Sequence, residues 1–478
     1  MTVPSAQRGP HASTPAPSEK TSGKASVSNE SPIDTDSSEV EEFKEGGYGW
    51  VVVASVLLVN AHTWGLNSSF AIFLAYYLRT GIIQGATPMT FAFVGGLSIS
   101  MALLTSPLAT VCIAKLGTRW TLRIGVVLQA ASFVGASFSL QIWQLLLSQG
   151  VCFGIGLGFC FTSTVGIVSQ WFTKRRSFAN ALSTSGSGFG GLIYALATNA
   201  MIQNLGLEWA FRIIAILSFV VNGAVSLIIR DRNKAVGAIH VAFHFPLLKK
   251  PEFWLYMSWG FFSMIGYVIT VFSLTDYAQS VGFAPSRGSI VAAVFNLSQG
   301  VGRPLIGLSS DKYGRLNIAG LGTLAAGLSC FFIWIFAGKT YAGLIVYALF
   351  GVFSGVIWPC VAPVGAEVVG LQLLPSALSI YWLGMVLPAT FAEVIALVLK
   401  NPGVNGYIHV QIFTGVMYLA AFASIWLLRS WKLRQIDTLS LDDEKEEESG
   451  LRGQHIAPAQ IPAAALSYFR AMITVKRI

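Results

Sequence analysis

Twelve apolar runs, each of about 20 or more residues, dominate the chain between positions 50 and 428. A helix needs about 20 apolar residues to cross the roughly 30 Å hydrocarbon core of a bilayer, so each run is long enough to span a membrane. A polar segment at 230–250 divides the runs into six and six. We number the predicted spans in chain order: one (50–78), two (89–113), three (121–140), four (145–169), five (178–201), six (209–229), seven (253–278), eight (289–309), nine (318–336), ten (341–365), eleven (377–399) and twelve (410–428).

The charged residues are few and unevenly placed. Only 11% of the 478 residues are charged, against roughly 25% in a soluble domain. Eight of the 22 Asp and Glu precede Gly46 and seven lie between Asp437 and Glu448, so the apolar body has few acids. The net charge of +9 reflects basic loop residues between apolar runs, which is typical of membrane topology and not of nucleic-acid binding. The sequence therefore predicts an all-α membrane protein with twelve transmembrane helices in two six-helix bundles.

The basic residues also predict an orientation, because cytoplasmic loops carry an excess of Lys and Arg. One side of the predicted bundle has the central polar segment together with Lys115, Arg119, Arg123, Lys174, Arg175, Arg176, Lys312, Arg315, Arg429, Lys432 and Arg434. The other side has Arg79, Arg212, Arg287, Lys339 and Lys400. Both termini are therefore expected in the cytoplasm. The predicted parts are a disordered N-terminal tail (1–45), an N-terminal bundle (46–229), a central loop (230–252), a C-terminal bundle (253–428) and a C-terminal tail (429–478).

Neither the cysteines nor the tails predict a further site. All five cysteines lie inside apolar runs and form no CxxC pair, so we expect no disulfide, metal or cofactor. The first 45 residues are rich in Ser, Pro, Thr and Glu, which is typical of disorder. The segment 466–478 is apolar and basic but too short to span. Association with the membrane surface and an artefact of the gene model both stay open for it, and the oligomeric state is not predicted.

A loop motif occurs once in each half. The segment 307–315 reads GLSSDKYGR, and 110–119 reads TVCIAKLGTR at an offset of 197 residues, which pairs Asp311 with Ala114. A duplicated six-helix unit would give such an offset. Asp311, Lys312 and Arg315 stand at helix ends on the basic side, where charge networks can stabilise one closed state. We therefore expect these three residues to form a cytoplasmic gate.

The two halves and their loop motif resemble the major facilitator superfamily, whose members are built from two six-helix halves. The acidic-Gly-Gly-aromatic-Gly-Trp signature of the monocarboxylate porter family is matched after Glu45 by Gly46, Gly47, Tyr48, Gly49 and Trp50. The segment 171–188 is similar to that family's loop into span five, and the Ser-rich tail with 388–393 is similar to its fungal branch. The resemblance implies alternating access by two bundles that rock about a central site.

Arg303 lies about halfway along span eight. A central Arg costs about 2.5–3.5 kcal/mol on insertion scales, so we expect it to face a polar cavity and to bind an anion. A structural pairing with a carbonyl or with Glu393 is the alternative. The resemblance implies that an Arg followed by Pro, here Pro304, holds the substrate carboxylate. Gln299 and Ser68 stand where the family's animal members carry Asp and Lys, so their proton-coupled lactate mechanism does not carry over.

Other polar groups within the spans are scarce. Glu393 and His62 are the candidates for proton coupling, since a His titrates near neutral pH and a carboxyl can carry a proton; a packing role is the alternative for His62. Asn60, Trp64 and Asn67 recur at i, i+4 and i+7, which predicts one helical face turned toward a cavity. The predicted substrate contacts are Arg303, Asn67, His62 and Gln299.

The glycine-rich segment 186–191 formally matches the dinucleotide fingerprint GxGxxG. We reject that interpretation, because the fingerprint requires a preceding strand and a helix N-terminus at the phosphate, whereas these glycines lie inside an apolar run. Gly186 and Gly190 instead have the small-xxx-small spacing that allows close helix packing. The same spacing occurs at Gly154 and Gly158 and at Gly351 and Gly355.

The leading hypothesis is a secondary transporter of a small organic molecule, expected to be an organic acid, with proton coupling left open. Efflux of a fungal secondary metabolite is the alternative that the fungal branch implies. A transport-dead nutrient sensor is disfavoured by the short tails, and an enzyme by the lack of a catalytic constellation. An ATP-driven pump is disfavoured because no GxxxxGK[ST] loop occurs. We expect the plasma membrane, with the vacuolar membrane as the alternative; substrate, direction and coupling ion are not predicted.

Overall fold

The structure is a computed structural model that describes residues 45–68, 70–83, 86–401 and 406–449. Most of the predicted N-terminal tail and the segment 466–478 lie outside the described residues. The described residues belong to one compact unit, and within them every regular element is helical.

Helices occupy all six predicted spans of the first half. Their bounds are Tyr48–Asn60, Ala61–Gly65 (a π turn), Leu66–Ser68 and Phe70–Thr80 for span one; Pro88–Leu104 and Ser106–Leu116 for span two; Thr118–Ser137 for span three; Ile142–Leu145, Leu146–Cys152 (π) and Phe153–Val165 for span four; Arg176–Leu205 for span five; and Leu207–Ile228 for span six. A short 3-10 turn, Val168–Gln170, precedes span five.

The second half repeats this plan. After a short helix at Phe245–Leu248, the bounds are Pro251–Ser280 for span seven; Pro285–Tyr313 for span eight; Arg315–Ser329, Cys330–Trp334 (π) and Ile335–Ala337 for span nine; Tyr341–Ser354 and the first part of Ile357–Gly384 for span ten; the remainder of that helix and Val386–Leu399 for span eleven; and Ile408–Ser449 for span twelve. The break between spans ten and eleven falls at Gly370, whose φ of 80° and ψ of 164° interrupt the helix in a conformation that favours glycine. The last helix continues past position 428, where the predicted span ends.

By length and hydropathy alone, seven helical stretches in the described residues qualify as membrane spans, or eight if the bent pair in span two is one span. One stretch, Tyr341–Leu399, contains two crossings. Spans three, five and eight do not qualify by this measure. The helix of span three carries Arg119 and Arg123, and the helices of spans five and eight, of 30 and 29 residues, are rich in Ser and Gly, which lowers their mean hydropathy. The architecture is therefore the predicted one of twelve helical spans in two six-helix bundles.

Glycines allow span five to pack closely against both halves. A Cβ on Gly186 would lie 2.1 Å from the Leu57 carbonyl oxygen, and one on Gly190 would lie 2.5 Å from that of Ala61. On the other side of the helix, a Cβ on Gly188 would lie 2.6 Å from the amide nitrogen of Gly300 in span eight. The predicted role of these glycines in close helix packing is confirmed, and the packing places span eight directly against the first half.

Candidate functional site

Arg303 bridges the two halves from about two-thirds of the way along the helix of span eight, Pro285–Tyr313. Its side chain is 3% exposed. Nη1 donates to the Thr184 carbonyl (2.7 Å) and to Ser187 Oγ (2.5 Å), both in span five. Nη2 donates to Gln299 Oε1 (2.5 Å), so the structure brings these two predicted residues together. Of the two pairings left open by the sequence, the structure contains the one with a carbonyl.

The guanidinium group of Arg303 carries a buried charge that is only partly balanced. Among the described residues it has no carboxylate partner, and its Nε has no hydrogen-bond acceptor. Buried charges are normally paired, because removing them from water is costly. The guanidinium group of Arg303 therefore has the charge and a free donor, Nε, with which to bind an anion.

An aromatic cluster continues from this polar group into the middle of the bundle. Gln299 Oε1 accepts a hydrogen bond from Tyr267 in span seven (3.3 Å), whose ring lies 5.7 Å from Trp358 in span ten. Trp358 packs against Trp64 of span one (5.2 Å) and Trp382 of span eleven (5.9 Å). Phe161 of span four lies 5.4 Å from Trp64 and 4.9 Å from Trp382. We call Trp64, Phe161, Tyr267, Trp358 and Trp382 the aromatic cluster.

The polar residues of span one point to different neighbours. The π turn at Ala61–Gly65 shifts the helical register within the predicted stripe. Asn60 donates to the Ser183 carbonyl of span five (3.2 Å), whereas Asn67 accepts from Ser98 of span two (2.9 Å) and lines a small pocket inside the first half. Trp64 alone of the three joins the aromatic cluster.

His62 lies in the same π turn. Its Nδ1 is 2.9 Å from the Leu58 carbonyl oxygen, and its ring lies edge-on to Tyr194 of span five at 5.6 Å. Its own carbonyl accepts a hydrogen bond from Gln129 of span three. None of these contacts is shared with Arg303, so the structure does not bring His62 or Asn67 together with the Arg303 and Gln299 pair.

Glu393 is also separate from Arg303. It is half-buried in span eleven, and within the described ranges its carboxylate has no hydrogen-bond or ion-pair partner. Nearby, Lys400 Nζ lies 2.5 Å from Asp276 Oδ2, and Tyr407 donates to the same oxygen. Burial, together with the Asp276 and Glu393 carboxylates, raises the pKa of Tyr407, which lies in the turn before span twelve. These groups form a polar cluster at one end of the second half.

At the opposite end, which carries the central loop, charged side chains connect the two halves. Asp311 accepts hydrogen bonds from the amides of Ser177 (2.9 Å) and Phe178 (2.8 Å) at the start of span five. Arg315 donates to the Thr173 carbonyl (2.7 Å) and to the carboxylate of Glu367. The side chains of Asp311 and Arg315 are 12% and 14% exposed. Two of the predicted gate residues thus join the halves, in a largely buried site.

Lys312, the third predicted gate residue, is exposed. Its Nζ lies 5.1 Å from the centre of the Tyr313 ring, and it has no carboxylate partner among the residues that the structure describes. The structure therefore does not bring Lys312 into the contact between the halves.

The glycine-rich signature of span one packs against the loop before span five. Glu45 accepts hydrogen bonds from the amides of Thr173 (2.6 Å) and Lys174. The Trp50 ring lies 4.9 Å from Phe172, and a Cβ on Gly49 would lie 3.0 Å from the same ring. Gly46 and Gly47 have positive φ and form the turn before span one. Tyr48 donates a hydrogen bond to the Ile228 carbonyl at the end of span six (2.6 Å).

The central loop lies along the start of span eleven. The Ile239 amide donates to the Gln372 carbonyl (2.8 Å), and the Val241 amide donates to Ser376 Oγ (2.9 Å). His240, between them, lines a cavity with residues of spans two, four and eleven. Burial lowers the pKa of His240, which lies outside the spans.

Sequence reasoning missed several residues of these sites. Glu367 is one of the few acidic residues in the apolar body, and this scarcity of acids could have identified it as a candidate. Thr184 and Ser187 gave none, because Ser and Thr are common in membrane helices and a carbonyl partner has no side-chain signature. Outside span one, Trp382 could be singled out from the sequence as an aromatic residue of span eleven that either faces the cavity or packs in the core, and the other members of the aromatic cluster were recognisable only as apolar residues.

Two helical bundles joined by a central loop, with a buried charge and an aromatic cluster between them, define the class of multi-pass membrane transporters. The family model of the Major Facilitator Superfamily matches residues 52–274 and 256–473. The chain belongs to this superfamily, which comprises secondary transporters and not enzymes.

Individual relatives agree with this assignment. Probable transporter MCH2 of Saccharomyces cerevisiae is 32% identical over 82% of this chain and 84% of its own length. The Fujikurins efflux protein of Gibberella fujikuroi is 26% identical over 80% and 82%. A solved structure of the proton:xylose symporter XylE has a TM-score of 0.65 over 80% of this chain and 96% of the symporter, at 14% identity. That likeness establishes the fold alone.

Proposed function

We propose that this protein transports a small organic anion, of the organic-acid class, by alternating access, as in the monocarboxylate porter family that its signature resembles. The observation that carries the proposal is the buried Arg303, which has no carboxylate partner among the described residues and lies between spans five and eight. A guanidinium group binds carboxylates through paired, charge-assisted hydrogen bonds. The substrate carboxylate would supply the missing counter-charge.

The contacts of Arg303 also suggest how binding is coupled to movement. The hydrogen bonds from Nη1 to Thr184 and Ser187 connect the halves. An anion that draws the guanidinium group away from span five weakens this connection and favours a different arrangement of the halves. A ligand shifts such an equilibrium only through its differential affinity for the two states, and competition for Arg303 provides that difference.

At the central-loop end, Asp311 and Arg315 hold the halves together, and we propose that they form the cytoplasmic gate. This assigns both termini to the cytoplasm, in the plasma membrane or alternatively the vacuolar membrane. Glu393 and His62 stay candidates for proton coupling at positions separate from Arg303. A pH gradient that drives uptake equally in the wild type and in the Glu393→Gln and His62→Ala variants would remove both from coupling.

Efflux of a secondary metabolite is a second candidate function, favoured by one observation: the relatives include the Fujikurins efflux protein. An exporter would use the same Arg303 site in the opposite direction. Comparing metabolites inside and outside cells with and without the protein distinguishes the two. Accumulation of an organic acid inside cells that lack the protein supports export, whereas reduced entry supports uptake.

Uptake of radiolabelled L-lactate and benzoate into proteoliposomes tests the anion site, with D-glucose as the neutral control. Because hydrogen bonds to charged groups contribute about 1.5–3 kcal/mol, we expect Arg303→Gln to lower anion transport by about 10- to 100-fold. Arg303→Lys keeps the charge and should retain more transport than Arg303→Gln. Normal anion flux in Arg303→Gln, or flux of glucose in place of the anions, would contradict the proposal.

A further inference from the structure

Three tryptophans of the aromatic cluster have buried indole N–H groups without hydrogen-bond acceptors. Nε1 of Trp64, of Trp358 and of Trp382 is buried, and none of the three has a partner among the described residues. They come from spans one, ten and eleven, so both halves contribute to the group. A buried Trp N–H usually finds a partner, and each buried donor left unsatisfied costs about 1–3 kcal/mol. Three such donors in one cluster provide a place where the acceptor oxygens of a ligand would be stabilising.

The rings around these donors present flat apolar surfaces. Trp358 and Trp382 are near-parallel, with 15° between their planes and 5.9 Å between their centres. Phe161 meets Trp64 at 88° and Trp382 at 65°, so it presents its edge or face to both. Aromatic rings favour offset-stacked and edge-to-face contacts with other rings. A planar ligand can replace ring–ring contacts within the cluster by equivalent ring–ligand contacts while it satisfies the N–H groups.

The cluster is connected to the anion site through two side chains. The Tyr267 ring contacts Trp358, and the Tyr267 hydroxyl donates to Gln299 Oε1, which also accepts from Arg303. The buried charge and the flat apolar surface therefore belong to one continuous region. A ligand that fits this region has a charged end and a planar body with acceptor oxygens.

We propose that the substrate is a planar, aromatic or conjugated organic acid, whose ring system packs within the aromatic cluster and whose oxygens accept the indole N–H groups of Trp64, Trp358 and Trp382. Its carboxylate binds at Arg303, and this inference rests on the anion-transport function proposed above. A short aliphatic acid can neither pack against the rings nor accept hydrogen bonds from all three indole N–H groups, so it is the poorer ligand.

Binding of 2-naphthoate and L-lactate to the purified full-length protein, measured by calorimetry, tests this substrate class. We expect 2-naphthoate to bind at least about tenfold more tightly than L-lactate. Trp358→Phe and Trp382→Phe retain a ring but remove the donor, and each should weaken 2-naphthoate binding by about tenfold, as expected for one lost hydrogen bond in a buried site. Both variants keep the contacts of Arg303, so each should weaken L-lactate binding by a smaller factor than it weakens 2-naphthoate binding.

Trp334→Phe is the matched control. Its Nε1 is also buried and has no partner in the part of the chain that the structure describes, but its ring contacts Tyr277 and Tyr347 outside the aromatic cluster. We expect this variant to bind 2-naphthoate like the wild type. If L-lactate binds as tightly as 2-naphthoate, or if Trp358→Phe and Trp382→Phe both behave like Trp334→Phe, the proposed substrate class is wrong.

Flux in proteoliposomes separates this inference from the transport function. Transport of L-lactate without binding of 2-naphthoate would overturn the substrate class and leave the anion transporter intact. Binding of 2-naphthoate that depends on Trp358 and Trp382, with no flux of either acid, would support the binding site and contradict the transport function.

Discussion

The two copies of the repeated loop share a backbone turn but differ in their contacts. Each turns between two helices at a glycine with positive φ, 82° at Gly117 and 103° at Gly314. In the second copy, Asp311 accepts two amide hydrogens from the start of span five, in the other half. In the first copy, Ala114 has no side-chain acceptor, and Arg119 donates to the Ile229 carbonyl of its own half (2.9 Å). The duplicated backbone is therefore symmetric, whereas the charged connection between the halves is not.

Near the first copy, neutral hydrogen bonds of the central loop are found where the second copy has charged contacts. The helix Ser106–Leu116 of span two packs against Ile357–Gly384, and the central loop lies along the same helix through hydrogen bonds to Gln372 and Ser376. Neutral hydrogen bonds contribute about 0.5–1.5 kcal/mol, roughly half of what bonds to charged groups contribute. We infer that the charged contacts of the second copy contribute most of the free energy that holds the two halves together at the end that carries the central loop.

Asp311→Asn should produce the largest effect. The Asp311 carboxylate accepts the amides of Ser177 and Phe178 at the positive end of the helix Arg176–Leu205, where a negative charge is stabilising. Losing the charge should weaken the closed end by about 1.5–3 kcal/mol and raise the population of separated halves by about 10- to 100-fold. Electron spin-resonance distances between labels at positions 174 and 312, in a variant without the five free cysteines, measure this population.

The matched change in the first copy is Ala114→Asp. It introduces a carboxylate where the second copy carries Asp311, on the helix Ser106–Leu116 that packs against Ile357–Gly384, and we expect the opposite shift toward the closed end. The comparison fails if Asp311→Asn leaves the distance distribution as it is in the wild type, or if both variants shift the distribution in the same direction.

A smaller effect is expected at the two arginines. Arg315 contributes one hydrogen bond between the halves, to the Thr173 carbonyl, and its contact with Glu367 lies within the second half. Arg315→Gln should therefore separate the halves about 3- to 10-fold more often. Arg119→Gln should lower the melting temperature without changing the same distance, because its contact stays within the first half. Equal distance changes in both variants would show that the two arginines have the same role.

The spans could be predicted and the contacts of the site could not. Span positions depend on apolar length, which each segment carries by itself. The partners of Arg303 in span five are a carbonyl and a serine, which reach it because Gly188 lets spans five and eight approach. The divergence of Asn60 and Asn67 follows from a π turn, whose extra residue per turn leaves no mark in a 3.6-residue pattern.

The residues of the proposed gate also show which features a sequence can predict and which it cannot. Asp311 and Arg315 were predicted from a charged motif at a helix end, and scarcity of charge made that motif visible. Lys312 carries the same kind of signal but points away from the contact, because neighbouring residues on a helix face different directions. Charge in an apolar sequence therefore identifies a region, while the helical register selects which side chains meet.

The smallest effect is expected at the central loop, which is held near the first loop copy by neutral hydrogen bonds. Burial lowers the pKa of His240 below its ordinary value of 6.5, although the Ala238 carbonyl and Asp231 act in the opposite direction. The docked loop thus binds fewer protons than a released loop, so docking is complete above about pH 6.5 and weakens as the pH falls below that value. Hydrogen exchange of the Ile239 and Val241 amides, corrected for intrinsic rates, should be several-fold faster at pH 5.5 than at pH 7.5. His240→Gln should remove this difference, and equal protection of the wild type at both pH values would show that the His240 charge does not control the loop.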